Sequence, residues 1–139
     1  KLSGPLMDRI DIQLIMRPID PKKLVNRRAA ESTAEVAARV YEARQKQKER
    51  FAEDGIFCNA AMNNRLIDRY CSLDAGCRKL MERIIEKMGL SARACSRIIK
   101  LARTIADLAG SEVIETPHIA EAIQYRSLDR KYWQTRQEG

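Results

Sequence analysis

The sequence holds one histidine, seven aromatic residues and four cysteines in 139 positions, and each scarcity removes a class of function. His118 is the single histidine, and no GxSxG supplies a nucleophile for it, so a hydrolase triad has no parts to assemble from. Cys58, Cys71, Cys77 and Cys95 form no CxxC pair, which leaves a structural zinc site without its short local spacings. Scattered cysteines of this kind are expected to act as small buried hydrophobes of a reducing compartment, and the expected location is the cytoplasm. With so few aromatics there is no interleaving of basic and aromatic residues, as a single-strand binder would need. No glycine precedes a lysine, so the GxxxxGK phosphate cradle is missing from these residues. Apolar runs fall short of the ~18–20 residues that cross a bilayer. Initiator methionine and secretory h-region are absent as well. An opening of Lys1-Leu2-Ser3 is expected of a segment cut from something longer.

What is present is a basic, helix-forming chain. Lys and Arg number 26 against 19 Asp and Glu, a net charge of +7, with 45% hydrophobic and 32% charged residues. Such a composition suits one globular domain, burying roughly two-thirds of its unfolded surface without metals or disulfides. The basic residues are interleaved with glutamate and cluster only briefly, at Lys22-Lys23, Arg27-Arg28 and residues 44–50. That pattern admits a nucleic-acid surface or an ordinary solvated face.

Residues 10–16 begin with strand-like alternation and stop before Pro18, and Asp20-Pro21 marks a linker. No second strand of comparable quality follows. The segment is therefore expected to be unpaired or disordered here, or paired with another chain.

From Ser32 onward the pattern is helical. Ser32-Thr33-Ala34-Glu35 is a capping box, and Val36, Val40, Ala43 and Phe51 lie near one face of a long helix. Its far half, residues 44–50, lacks an apolar stripe and should be solvated, and Asp54-Gly55 stops it. A second helix covers Asn64 to Tyr70. The third carries Cys77, Leu80, Met81, Ile84, Ile85 and Met88 and ends at Gly89. Ser91 caps the fourth, whose face runs from Cys95 through Ile98 and Ala102 to Ala109 before Gly110. Thr116 caps the fifth, with Pro117 in its first position and His118 exposed or half-buried behind it. Arg103 and Asp107, four apart, suggest a helix-surface ion pair worth about 0.3–0.5 kcal/mol. Seventeen alanines allow close helix packing. The expected fold is an all-α helical bundle preceded by one short strand.

Four stretches carry a resemblance. SGPLMDRIDI at residues 3–12, LSARA at 90–94, LARTIADL at 101–108 and HIAEAIQYR at 118–126 stand in family order. They resemble the magnesium-chelatase-like AAA+ ATPases, a bacterial family that includes ComM-type competence proteins. The resemblance implies that residues 1–30 end an ATPase core, that 31–130 form its helical lid and that 131–139 are a tail. It implies a ring, hexameric in this family, with ATP and Mg2+ held between subunits of the full-length protein and none by this segment alone. DNA is the implied substrate of the ComM-type members, which are similar to helicases acting on branched DNA during transformation.

Two site residues follow from the same resemblance. Arg9 matches the arginine finger supplied in trans, where a guanidinium stabilises charge on the transferring phosphoryl group. Arg93 matches sensor 2 at the start of a lid helix, reaching the phosphate of the subunit's own ATP, with Arg97 a nearby competitor. No metal ligands are expected. Two other readings remain open at this point: a free-standing helical DNA-binding module, and a fragment of a metal-chelatase ATPase subunit.

Overall fold

Side-chain caps set the boundaries of the bundle. The computed structural model describes residues 9–14, 16, 18 and 30–126; the Asp20-Pro21 linker, the first half of the SGPLMDRIDI stretch and the tail at 131–139 lie outside the described residues. Helix α1 spans Thr33–Arg50, and its capping box is formed: the Glu35 N–H donates to Ser32 Oγ at 3.2 Å, and the Ser32 N–H donates to Glu35 Oε2 at 2.7 Å. A 3-10 turn at Asn59–Ala61 leads to α2, Asn64–Tyr70, capped by Asn63. Helix α3, Ala75–Met88, starts on Asp74 and ends at Gly89, whose φ of 56° is a left-handed conformation that suits glycine. Ser91 caps α4, Ala92–Leu108, and α5 covers Thr116–Gln124. The N-cap of α5 is Glu115, one residue earlier than expected. His118 is buried there, its Nδ1 accepting the Glu115 N–H at 3.0 Å, so it closes the helix start from inside the fold.

Helix α4 is the hub, packing on α1, α2, α5 and the 3-10 turn. Its Ala102 and Ala106 and α5's Ala122 have no exposed surface, so small side chains let the two helices approach closely. Ile98, Ile105, Ile119, Phe51, Met62 and Leu66 fill the core around them. Phe51 meets Tyr70 edge-to-face, with ring centroids 5.4 Å apart. All four cysteines are free thiols, with Cys71 and Cys77 buried.

The expectation for α1 is corrected. The buried part of α1 is its second half, at Ala43 and Gln47 and on into Phe51, whereas Val36 and Val40 are 40% and 48% exposed. The helix meets the bundle only in its last turns, and Gln47 can be buried because its side-chain oxygen accepts the Asn59 N–H at 3.1 Å. Among the described residues there is no strand, and 10–14 carry no ladder, in keeping with an unpaired opening segment; Leu73 and Ile114 form one isolated parallel bridge. The opening segment is held instead by a hydrogen bond from the Gln13 N–H to the Tyr125 carbonyl, 2.9 Å, at the end of α5.

Candidate functional site

The start of α4 presents two arginines in different ways. Ser91 Oγ accepts the Ala94 N–H at 3.2 Å, which fixes the first turn. Arg93 lies in that turn and is exposed, and among the described residues it makes no ion pair. Arg97, one turn further on, is committed: its Nη1 donates to Asp11 Oδ1 at 2.8 Å. The same carboxylate lies 3.8 Å from Nη1 of Arg126, a buried guanidinium whose Nη1 has no hydrogen-bond partner among the described residues. Beside them a cavity of about 230 Å³ is lined by Asp11, Ile12, Ala60, Arg97, Lys100 and Thr104.

Arg9 sits in an exposed turn two residues before Asp11. The structure thus joins not Arg9 and Arg93 themselves but the segment and the helix that carry them, through Asp11 and Arg97. Motif matching passed over Asp11. Its signal, a carboxylate two residues from the candidate finger, acquires meaning only once Arg97 and Arg126 fold against it.

A second polar cluster supports α4 from inside. The carboxylate of Asp107, with no exposed side-chain surface, accepts from both Nη atoms of Arg50, from Asn59 Nδ2 at 2.8 Å and from Arg103 Nε at 3.1 Å. Arg103 also donates to the Ser111 and Glu112 carbonyls at 2.6 and 2.8 Å, tying down the loop after α4. This overturns the reading of Arg103 and Asp107 as a surface pair, since both are buried within a network that spans α1, the 3-10 turn and α4. Burial would raise the Asp107 pKa, but hydrogen bonds from Arg50 and Asn59, with the charges of Arg50 and Arg103, hold it below the ordinary carboxylate value. Burial lowers the Arg103 pKa against the pull of Asp107. Engaged by Arg50, Asn59 and Arg103, the Asp107 carboxylate serves the fold.

Among the described residues no group of three or more His, Cys, Asp or Glu side chains could hold a metal ion, and no helix is long and apolar enough to cross a membrane. What the surface at the head of α4 can offer chemically is positive charge for an anion.

Residues 30–126 match the family model for magnesium chelatase, subunit ChlI, C-terminal, and the chain belongs to that family. Its helical bundle is a ChlI-like AAA+ lid. Competence protein ComM of Haemophilus influenzae is 38% identical over 131 residues, covering 94% of this chain and 25% of that protein. Protein YifB of Salmonella typhimurium is 37% identical over 132 residues, with the same shares. An uncharacterized protein of Mycobacterium bovis is 29% identical over 126 residues, covering 91% of this chain and 25% of its own length. The chain spans about a quarter of the length of these relatives.

Proposed function

We propose that this chain is the C-terminal region of a ring-forming cytoplasmic AAA+ ATPase, with residues 1–30 ending the ATPase core, 31–130 forming the lid and 131–139 a tail. In the ring, Arg93 serves as sensor 2 for the subunit's own ATP and Arg9 as the finger for its neighbour's. ATP with Mg2+ would supply the transferable phosphoryl group in the full-length protein. The observation that carries this reading is the contrast at the start of α4: Arg97 is engaged by Asp11, whereas Arg93 is exposed in a capped first turn, where a helix N-terminus favours anions. It supports Arg93 over Arg97 as the phosphate ligand. The exposure of Arg9 in its turn supports a partner outside its own chain.

The Haemophilus influenzae relative bears the name of a competence protein. On that similarity the full-length protein remodels DNA, and a hexamer is the assembly proposed for it. Arg9→Ala in the full-length protein should lower ATP turnover by on the order of a thousandfold, the scale of a trans-acting arginine, while ring assembly measured by light scattering persists. Turnover close to wild type in an assembled ring would overturn the finger. The rival DNA-binding module is tested by filter binding of this chain across salt: a slope of several released counterions would favour the module.

A further inference from the structure

Two anchors hold the segment that carries Arg9. Asp11 accepts from Arg97 at 2.8 Å, and two residues on, the Gln13 N–H donates to the Tyr125 carbonyl at 2.9 Å. One anchor is a side chain of α4 and the other is the main chain at the end of α5, so the segment is registered against both helices. Arg9 is two residues from the first anchor, and two extended residues reach about 7 Å, so little slack separates the anchor from the guanidinium's backbone.

The carboxylate of Asp11 is shared unequally. Arg97 gives a direct hydrogen bond, while Arg126, 5% exposed, stands 3.8 Å away, its Nη1 making no hydrogen bond among the described residues. Asp11 is itself about half exposed, with 53% of its side-chain surface accessible. Its pairing with Arg97 is therefore made at the surface, and the buried Arg126 guanidinium beside it adds a second cation facing the same carboxylate. Arg97 lies on the same helix as Arg93, four residues later and so on the neighbouring turn of one face.

We propose that Asp11 is a positioning residue: through Arg97 and Arg126 it locks the Arg9-bearing segment to the lid helix that carries Arg93. A tilt of α4 imposed at Arg93 would then move Arg9, coupling a subunit's own nucleotide to the finger it offers its neighbour. The inference rests on the assignment of Arg9 and Arg93 above and adds to it the residue that links them.

The test is steady-state ATP hydrolysis by the full-length protein. Asp11→Asn keeps the shape and an acceptor for Arg97 but removes the charge; kcat should fall about 10-fold or more, as for a misplaced catalytic group, with KM for ATP changed less than about twofold. Asp11→Glu, which restores the charge, should recover part of that loss. Arg97→Gln should reproduce the kcat defect while leaving Asp11 to Arg126, and the double variant Asp11→Asn/Arg97→Gln should be no worse than the poorer single variant. Should Asp11→Asn fail to assemble, Arg97→Gln alone decides. Wild-type kcat in these variants, or a raised KM at constant kcat, overturns the positioning role provided Arg9→Ala is inactive. An active Arg9→Ala instead overturns the site assignment beneath it.

Discussion

Asp107 accepts hydrogen bonds from Arg50, Asn59 and Arg103 where no solvent reaches its carboxylate. Asp107→Ala would leave two guanidinium groups without their common counter-charge, and chemical denaturation should show a loss of about 3–5 kcal/mol. The sign of the pH effect follows from the lowered pKa. The carboxylate contributes stability that is present above the unfolded-state value of about 4 and is lost as pH falls through its lower folded value. Thermal midpoints should drop on acidification below about pH 4 in the wild type and fall less steeply in Asp107→Asn. Burial also pushes the Cys71 thiol up to about 11. At pH 8 iodoacetamide should label the partly exposed Cys58 well before Cys71, as peptide mass spectrometry would resolve. That the cysteines are free was legible from their spacing. The burial of Arg103 and Asp107 was not, because their spacing of four looks the same on a wet or a dry face. The partners that make the face dry, Asn59 and Arg50, lie 48 and 57 residues from Asp107 in sequence.

Local chemistry made most elements readable. The Ser32 and Ser91 caps and the left-handed Gly89 each depend on residues within one turn, and α2 falls on Asn64–Tyr70 as its pattern predicts. Long-range packing was less readable. Val36 and Val40 share a helical face with Ala43, yet α1 reaches the bundle only beyond them, a matter of where α4 lies. The contrast is measurable. Val40→Ser should change stability by less than about 0.5 kcal/mol, as expected of an exposed site. Ile98→Ala, at 1% exposure on α4, should cost about 2–5 kcal/mol in the same denaturation assay.

On the scale of the whole molecule, a net charge of +7 is a poor guide to DNA, because several arginines are engaged by carboxylates of the chain itself. Arg50 and Arg103 serve Asp107, and Arg97 and Arg126 face Asp11. The family was legible in LSARA, LARTIADL and HIAEAIQYR, which supply the head, body and neighbour of α4. The candidate site was legible only in part: the motifs name Arg9 and Arg93, while the Asp11 tie between their carriers requires the fold. If Arg93 acts on a subunit's own ATP and Arg9 on its neighbour's, defects in the two must complement across a subunit boundary. The direct measurement is ATP turnover after full-length Arg9→Ala and Arg93→Ala subunits, each inactive alone, are co-assembled. Mixed one to one, about a quarter of the head-to-tail interfaces pair an intact Arg93 with an intact Arg9, and turnover should recover to at most about that fraction of wild type, because each donor of Arg9 there lacks its own Arg93. Co-assembled rings that stay inactive would contradict the account.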